Sequence, residues 1–599
     1  MKRWIKQGSW PAACAAIGAA ALIAGCGGTS SSSSGSGGSS GHASGGSSVL
    51  TVESSQQNAI TQNFNPYVQS SAATLLGATS LMYEPLLQAN AIKPGQYYNW
   101  LATGYAWSNG GKSITFTIRP GVKWSNGTPM TAADVAFTFN MIKKYPDVNN
   151  TGLAVQSVSS SGNQVTLNFS SPQYANLQNI AGQTYIVPAS VWSKVGDPGK
   201  YTDPNPVGTG PYTVGQFSPQ GITLKANPTY WGGKPAVSEV QFPTYASANT
   251  ALAALQTNQL HWAGNFIPGV HQVFEAGHAD HQTWFVPIQT NSLEPNLTKF
   301  PTNQLAVRKA ISLAIDRTAL SEQAEGGLEP PVSNASGLTL PIFQQFLSPT
   351  VGNITLDPHS NIAAAKQVLQ QAGYVMGSDG FFRTKSGQKL SLDITNPSSF
   401  ADYATGDQMV AGWLRKAGID ATFVGQSVTA WSSDVATGNF QLTSHWSQTS
   451  VSPYQLYNDW LNSAQATNNA AGDYERLKDP TVDAALNKLA ADNTVAAQQA
   501  DLAPIEQYVA QNLPIIPTVY GVVFDEYNTG KFTGWPTASN PYESGSPNTP
   551  TNEVVILRRG LSARSLSSTP RAPASRVLSR GERAAAPFTF SRTSTRRTT

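Results

Sequence analysis

One short segment of the chain, HQVFEAGHADH, carries four side chains that can bind a metal. They follow one another at spacings of four, three and three residues: His271, Glu275, His278 and His281. On a helix they could share one face and bind a divalent ion. Gly277 weakens such a helix, and the composition is typical of a solvated surface connection. We therefore expect no metal site here and no cofactor.

The body of the chain, residues 49–557, lacks the short motifs of common catalytic centres. It contains no Gly-x-Ser-x-Gly, no His-Glu-x-x-His and no Gly-x-x-x-x-Gly-Lys-[Ser/Thr] phosphate loop. The two cysteines, Cys14 and Cys26, both precede the body. The body therefore has no disulfide, no thiol catalysis and no cysteine-based metal site. The sequence favours a protein that is not an enzyme.

The N-terminus has the pattern of a secretory signal. Three basic residues among the first six precede the apolar or small residues 10–24, which are too few to span a bilayer as a stable helix. The stretch ends in LIAGCGG and resembles a bacterial lipobox. The resemblance implies that residues 1–25 are removed and that Cys26 carries lipid, which would anchor the protein to the outer face of the cytoplasmic membrane. A plain secretory signal is the alternative.

Composition changes sharply on both sides of the body. Residues 26–48 are nearly all Gly and Ser and predict a flexible tether. Residues 558–599 hold ten Arg and one acidic residue and should be disordered. This tail could be attracted to anionic lipid or cell wall, or it could have no role. The net charge of +3 leaves the body at −9 once the signal and tail are set aside, which argues against binding to nucleic acid.

Strands and helices alternate along the body, which predicts an α/β fold with mixed sheets. The predicted strands are 49–53, 113–120, 164–169, 221–226, 238–245, 389–395 and 420–425. The predicted helices are 73–88, 131–145, 248–259, 303–320, 361–373, 401–418 and a last one within 490–512 that breaks or restarts at Pro504. Thr131 and Asp134 fit a capping box, with Asp134 as a cap rather than a base, and Gly373 and Gly418 mark two helix ends.

Seven blocks of the body follow one another in a defined order. They are residues 80–87 (SLMYEPLL), 115–139 (TFTIRPGVKWSNGTPMTAADVAFTF), 205–214 (NPVGTGPYTV), 227–242 (NPTYWGGKPAVSEVQF), 306–320 (AVRKAISLAIDRTAL), 365–374 (AKQVLQQAGY) and 512–520 (NLPIIPTVY). Together they resemble the family 5 extracellular solute-binding proteins, the peptide- and nickel-type binding subunits of bacterial ABC importers. The resemblance covers roughly residues 49–557.

Most residues in these blocks have a structural interpretation. Gly208, Gly210 and Pro211 should permit a turn that most residues could not adopt. Three charged residues of the fifth block should form ion pairs within one lobe: Arg308, Asp316 and Arg317.

The resemblance implies a two-lobe, periplasmic-binding-protein-like fold of type II with an inserted domain. Lobe I would comprise 49–83, 206–297 and 512–557, the inserted domain 84–205 and lobe II 298–511. A small solute would be captured between lobes that close by a hinge motion. The resemblance further implies a monomer that delivers its solute to the membrane permease subunits of the importer.

The chain departs from the family's pattern for binding free peptides. Those members carry an Asp three residues after a Trp, and this Asp pairs with the α-ammonium of the peptide. Trp446 matches the Trp, but Thr449 stands where the Asp would be, and Ser452 replaces the Asp of the following Asp-Pro. A buried ammonium needs a counter-charge. Either another carboxylate supplies it, with Glu53 and Asp459 as candidates, or the solute lacks a free amine.

Tryptophans are the other candidates for solute contact. Five should face the cleft: Trp262, Trp284, Trp431, Trp446 and Trp460. Indole faces stack on sugar rings and also line pockets for apolar side chains, although any of the five could belong to a core. We expect Trp446, Trp431 and Trp262 to contact the solute. An oligopeptide is the expected solute, and an oligosaccharide or a nickel or other metal complex are the alternatives.

Overall fold

The computed structural model describes residues 48–447, 451–466, 472–547, 549 and 552–564. Several predicted features lie outside this part of the chain: the predicted signal peptide, the predicted lipid attachment site Cys26, the predicted tether up to residue 47, Thr449 and residues 565–599. Every helix in the described part is too short or too polar to cross a bilayer.

Lobe I is built on a seven-stranded sheet. Its strands, in spatial order, are His281–Thr283, Glu526–Asn528, Trp262–Ala263, Val49–Glu53, Glu239–Pro243, Gly221–Ala226 and Tyr212–Ser218. The central strand Val49–Glu53 runs parallel to both of its neighbours. Its burial on both faces explains the near-continuous apolar run of the sequence there. The helix Ala248–Gln256 follows the strand Glu239–Pro243 in the chain, and Ser247 caps its first turn.

Lobe II is built on a five-stranded sheet. Its strands, in spatial order, are Asp420–Gln426, Ser391–Pro397, Leu442–Trp446, Asn291–Pro295 and Ile516–Val519. The helices Leu305–Ala314, Ile362–Gln371 and Ala401–Lys416 contribute to the same apolar core as this sheet. A second core lies among the helices Pro453–Leu461, Pro480–Ala490 and Val495–Asn512.

The inserted domain has its own antiparallel sheet. Its strands, in spatial order, are Ala102–Ser108, Ser113–Ile118, Gln164–Phe169 and Val155–Ser161, with the helix Ala132–Lys144 against them. A buried carboxylate fixes the chain at the start of this domain. Glu84 accepts hydrogen bonds from Trp100 Nε1 (2.7 Å), Tyr230 Oη (2.7 Å) and Trp231 Nε1 (2.8 Å). Two of the seven sequence blocks, 80–87 and 227–242, thus meet through Glu84, which ties the inserted domain to lobe I.

Shorter elements complete the described part of the chain. Paired short strands are Leu87–Ala89 with Tyr97–Asn99, Val375–Met376 with Phe382–Arg383, and Phe532–Thr533 with Ser562–Ala563. Further helices are Ala72–Leu75, Thr79–Met82, Ala189–Trp192, Arg317–Ala319, Pro349–Gly352, Val428–Thr437 and Asn552–Arg559. Single turns of 3₁₀ or π type lie at Asn109–Gly111, Pro146–Val148, Tyr174–Asn176, Gln178–Gly182, His271–Glu275, Leu320–Ala324, Gln344–Phe346 and Ser463–Gln465.

Two antiparallel segments connect lobe I with lobe II. One leads from His281–Thr283 through Val286–Pro287 to Asn291–Pro295, and the other returns from Ile516–Val519 through Val522–Val523. The two short central strands pair with each other. We call 284–290 and 520–525 the crossing segments. In the described part of the chain, the backbone passes between the two sheets only through these segments, an arrangement that can serve as a hinge.

The predicted strands and helix ends agree closely with the structure. All seven predicted strands are present, with bounds that differ by at most two residues. The capping box is confirmed, because the carboxylate of Asp134 accepts a hydrogen bond from the backbone N–H of Thr131 at 2.9 Å. Gly373 and Gly418 have φ of +86° and +87° and follow two helices directly.

Three helix predictions were wrong. Residues 73–88 form two short helices rather than one, because Gly77, at φ +76°, turns the chain between them. Residues 303–320 form the helix Leu305–Ala314 and then separate turns. The helix Val495–Asn512 runs through Pro504 without a break. Buried Leu502 and Ile505 pack on both sides of this proline, and the contacts outweigh the lost hydrogen bond.

Gly208 and Gly210 are required for a reason that differs from the one expected from the sequence. Neither residue has a positive φ. A Cβ atom on Gly208 would lie 1.9 Å from the carbonyl oxygen of Met82, and one on Gly210 would lie 2.3 Å from that of Leu81. These glycines are required because two backbones approach closely, not because the turn needs an unusual conformation.

The predicted ion pairs of Arg308 and Arg317 were also wrong. The Arg308 guanidinium donates to the carbonyls of Thr302, Asn512 and Leu513 at 2.8–3.1 Å. Arg317 donates to carbonyls on three separate segments. Asp316 instead caps a helix by accepting from Ala319 N–H at 2.8 Å. Buried guanidinium groups here satisfy backbone oxygens at chain crossings, for which their fork of donors is suited.

The first residues of the predicted disordered tail 558–599 belong to the fold. The helix Asn552–Arg559 contains Arg558, whose guanidinium lies 4.3 Å from the ring centre of Trp100 and 4.5 Å from that of Trp231. Leu561 is buried, and Ser562–Ala563 pairs with Phe532–Thr533. This part of the chain therefore packs against lobe I and the start of the inserted domain.

Candidate functional site

The edge of the lobe II sheet nearest the crossing segments brings two polar or aromatic side chains together. Asn291 is the first residue of the strand Asn291–Pro295, and Trp446 is the last of Leu442–Trp446. The two strands are antiparallel, and these residues are register partners. The sheet therefore places Trp446, the foremost predicted solute contact, directly beside the point where the chain enters lobe II.

An aromatic cluster holds Trp446 in place. Its ring stacks on His445, with centroids 4.4 Å apart and planes inclined by 16°. Phe400 and Tyr403 pack at 6.2 Å and 5.9 Å. Trp446 itself is only partly buried. A partly exposed indole fixed on several sides is a rigid surface on which a solute can stack.

Trp431 lies behind Trp446 rather than beside it. Its side chain is 5% exposed, its ring centre lies 6.0 Å from that of Trp446, and its Nε1 donates to Thr443 Oγ1 at 2.9 Å. The intervening His445 is also buried, and burial lowers its pKa to about 4. The ring is therefore neutral near pH 7, and the cluster presents an uncharged aromatic stack.

The other predicted contacts in lobe I lie away from Trp446. Trp262 is completely buried in the lobe I core and donates from Nε1 to Asp525 Oδ1 (3.0 Å) and to the Gly545 carbonyl (2.9 Å). Glu53, at the end of the central strand, is 1% exposed and accepts from Asn265 Nδ2 at 2.5 Å. Burial raises the pKa of Glu53 to about 7. Of Trp262 and Glu53, only Glu53 has a carboxyl group, and a cation on the solute could favour its ionised form.

The remaining lobe II candidate is Asp459, on the helix Pro453–Leu461. Burial raises its pKa to about 7. Asp459 also contributes to the raised pKa of Tyr474, whose ring lies 5.0 Å from that of His445. Asp459 is therefore linked to the aromatic cluster through Tyr474. Of the two further tryptophans, Trp284 lies in a crossing segment and Trp460 lies in the helical core of lobe II.

A group of four carboxylates beside Trp446 escaped the sequence analysis. Glu325, Glu329 and Asp407 are buried, and Asp402 lies next to Tyr403 on the helix Ala401–Lys416. Burial raises the pKa of all four, and repulsion from neighbouring carboxylates adds to the effect for Glu325, Glu329 and Asp407. The residues come from segments nearly 80 positions apart, so no spacing in the sequence could have linked them. The pattern EGGLEPP around the two glutamates was the only local signal.

The four metal-type residues of the first sequence segment do not meet at one point. His271 Nδ1 lies 2.7 Å from Glu275, so these two satisfy each other. His281 Nδ1 lies 2.9 Å from the Phe274 carbonyl and Nε2 lies 3.0 Å from the Asn258 side-chain oxygen. The described residues do bring His278, Asp280 and His281 together, but His281 would have to give up a hydrogen bond to bind an ion. The hydrogen bonds of His271 and His281 thus occupy ring nitrogens that a metal would need.

Comparisons with known proteins agree with the two-lobe architecture. The profile of the bacterial extracellular solute-binding proteins, family 5, matches residues 96–468. The nickel-binding periplasmic protein of Escherichia coli K12 is 27% identical over 382 residues, 61% of this chain and 70% of that protein. A probable peptide-binding protein of Agrobacterium fabrum is 24% identical over 503 residues, 75% of this chain and 81% of that protein.

A solved structure gives the same picture of the fold. The periplasmic oligopeptide-binding protein of an oligopeptide ABC transporter from Thermotoga maritima, with mannohexaose bound, superposes with a TM-score of 0.77 at 24% identity. The match covers 86% of this chain and 99% of that one.

Proposed function

Because the chain belongs to the bacterial extracellular solute-binding proteins of family 5, we propose that it captures an oligopeptide between its two lobes. In this proposal it delivers the peptide to the permease subunits of an ABC importer. One observation carries it: paired crossing segments join two separate sheets, and the rigid, partly exposed indole of Trp446 lies at the edge of that junction. Closure about the crossing segments would bury a solute against Trp446.

The solute contacts follow from the geometry of the candidates. Trp446 would stack directly on the solute, and Trp431 would support it from behind. Glu53 and Asp459 would offer a charge from lobe I and lobe II respectively, because their raised pKa values make ionisation responsive to a nearby cation. Thr449 follows Trp446 closely in sequence and stays a proposed contact. Trp262, whose indole is buried and hydrogen-bonded inside lobe I, is no longer among the contacts we propose.

An oligosaccharide is the second candidate solute. Two observations favour it: the structural neighbour from Thermotoga maritima holds mannohexaose, and the stacked rings around Trp446 could equally receive a sugar face. A nickel or other metal complex is a third candidate, since one relative is a nickel-binding protein.

We further propose that the mature protein is a monomer tethered to the outer face of the cytoplasmic membrane through lipid on Cys26. Residues 49–83, 206–283 and 526–564 would move as lobe I, with 84–205 attached. Residues 291–519 would move as lobe II, because the strands Asn291–Pro295 and Ile516–Val519, which the sequence assigned to lobe I, pair within the lobe II sheet. The solute would be released unchanged, without catalysis. Replacing Cys26→Ser should move the protein from the detergent phase to the aqueous phase in a phase-partition assay, whereas an unchanged distribution would contradict the anchor.

The proposed function is tested by native mass spectrometry of the protein purified from its own cells. We expect a retained mass in the range of short peptides, which tandem spectrometry would identify. The recovered solute should then rebind with a stoichiometry of one and reduce the radius of gyration in X-ray scattering. A protein that retains and rebinds no peptide, sugar or metal complex, or that alters the solute during incubation, would contradict the proposal.

A further inference from the structure

A small cavity lies inside lobe II next to the crossing segments. It has a volume of ≈ 20 Å³, which is room for about one water-sized group. Its walls come from the sheet and from the helix Ala401–Lys416, and its polar lining consists of Asn291, Glu325, Tyr403, Ser444 and Thr518. Tyr403 also packs against Trp446 at 5.9 Å. The cavity therefore lies directly behind the proposed stacking surface.

The charges around this cavity all have the same sign. Glu325 is 6% exposed and lines the cavity. The charged groups that act on it are Glu329, Asp402 and Asp407, and all three are carboxylates. No cationic side chain among the described residues opposes them: every described ion pair of the protein lies elsewhere. A site of this kind strongly favours a positive charge over a neutral or negative group.

Two side chains on the cavity wall have acceptor oxygens to which no described residue donates a hydrogen bond. No described residue donates a hydrogen bond to the carboxylate of Glu325, whose pKa is set by burial and by its acidic neighbours alone. Asn291 is 5% exposed, and its Oδ1 accepts no hydrogen bond. Buried oxygens of this kind are normally satisfied. Together they form a set of acceptors that is open to a donor with several N–H groups.

A second carboxylate, Glu329, connects the cavity to the crossing segments. Glu329 accepts from Asn291 Nδ2 at 2.6 Å and from the backbone N–H of Val522, in the returning crossing segment, at 3.0 Å. Asn291 begins the lobe II strand that follows the other crossing segment. Glu329 thus ties Asn291, on the wall of the cavity and next to the first crossing segment, to the returning crossing segment. A group that enters the cavity contacts the residues that define the hinge.

We propose that this cavity receives a primary ammonium group of the captured solute, with Glu325 and Asn291 as its acceptors. The inference rests on the proposed function and narrows it to solutes that carry a free amine. An ammonium is the size of one water molecule, donates three hydrogen bonds and carries the required charge. A guanidinium is planar and larger, and an acetylated amine has neither the charge nor the size. The counter-charge that Thr449 cannot supply would come from Glu325.

The test uses the mature protein, freed of retained solute by unfolding and refolding. A tryptic digest of casein is offered in two forms, with free amines and after exhaustive acetylation, and bound peptides are identified by native mass spectrometry. Chitosan oligomers and their N-acetylated counterparts provide the same comparison for a sugar. We expect at least tenfold weaker binding after acetylation in whichever pair binds.

The outcomes separate this inference from the proposed function. If acetylated and free forms bind equally, the ammonium site is wrong while the solute-binding role stands. If neither the free casein peptides nor the free chitosan oligomers bind, the ammonium site is wrong. The peptide and sugar assignments then lose their support as well. Stabilisation by calcium chloride that depends on Glu325 would also overturn the inference, because the cavity would then be a metal site.

A pair of variants tests the residue itself. Glu325→Gln keeps the shape but removes the charge, and should reduce the preference for free amines at least tenfold. Glu322→Gln, an exposed position three residues earlier on the same segment, is the matched control and should keep the wild-type preference. The thermal midpoint of E325Q without solute should equal or exceed that of the wild type, because the change removes a buried, unpaired acid. A wild-type preference in E325Q would contradict the inference.

Discussion

Asn291 and Trp446 are register partners across two antiparallel strands of lobe II, at the edge where the sheet meets the crossing segments. The pairing joins the start of one strand to the end of the other, although 155 positions separate them in the chain. Of the two partners, Trp446 presents a partly exposed ring, and Asn291 lines a small acidic cavity. The stacking surface and the charged site are thus parts of one continuous wall.

Removing the indole of Trp446 should weaken solute binding. For Trp446→Ala we expect a roughly 10- to 100-fold loss of affinity, or about 1.4–3 kcal/mol, because a stacked aromatic contact is lost. Calorimetric titration with the solute recovered by native mass spectrometry measures the effect. Trp107→Ala, which removes a half-buried indole from the inserted domain, is the control and should bind normally. Equal affinities of the two variants would remove Trp446 from the site.

The ligand-free protein should be more stable at pH 5 than at pH 8. Burial raises the pKa of Glu53, Asp407 and Glu506 to about 7 and that of Glu329 to about 8. Between the unfolded value of 4.5 for Glu and these folded values, the native state binds more protons than the unfolded chain. The free energy of unfolding therefore falls as the pH rises through this window. Thermal unfolding followed by circular dichroism between pH 5 and pH 8 measures it.

A substitution isolates one of these carboxyl groups. Glu53→Gln should flatten the pH dependence by about 3 kcal/mol, since one pKa unit corresponds to 1.36 kcal/mol and the pKa of Glu53 rises from 4.5 to about 7. The variant should gain relative to the wild type at pH 8 and match it near pH 5. A wild-type profile that rises or stays flat from pH 5 to pH 8 would contradict the burial of these acids in protonated form.

The contact of Gly208 with the backbone of Met82 should tolerate no side chain. A Cβ atom there would lie 1.9 Å from a carbonyl oxygen, so we expect Gly208→Ala to cost about 3 kcal/mol or more, as overpacking against a backbone does. Gly196→Ala is the matched control, because its Cβ would meet no atom within 4 Å and should change stability by less than about 1 kcal/mol. Urea unfolding compares the two. Similar midpoints would show that the two backbones can separate.

The buried guanidinium of Arg317 should not be replaceable by an ammonium. Arg317 is 1% exposed and donates to Pro517 O at 2.9 Å and to the carbonyls of Ser312 and Asp357 at 3.2 Å. We expect Arg317→Lys to lower the free energy of unfolding by about 2–4 kcal/mol, since a lysine cannot reach three divergent carbonyls. Arg383→Lys, at a partly exposed ion pair with Asp379, should cost less than about 1 kcal/mol. Chemical unfolding of both variants decides between a structural and an incidental role.

Local sequence features determined much of the fold. Alternating apolar residues predicted all seven strands, and the capping box at Thr131 and the glycines at 373 and 418 predicted helix ends, because such signals depend on residues only a few positions apart. The order of the blocks identified the family before any contact was known. The errors at Gly77 and Pro504 arose where tertiary packing decided between two locally allowed backbones.

The candidate site shows where such local information ends. The sequence identified Trp446 as the foremost contact, because its neighbours match a pattern, but it also named Trp262. Only the fold shows that this second indole is buried and hydrogen-bonded inside lobe I. It offered Glu53 and Asp459 as counter-charges and missed Glu325. Glu325 meets Asn291 and Asp407 because three separate segments converge on one cavity. Burial and charge repulsion depend on distances through space, which residue spacing along the chain does not encode.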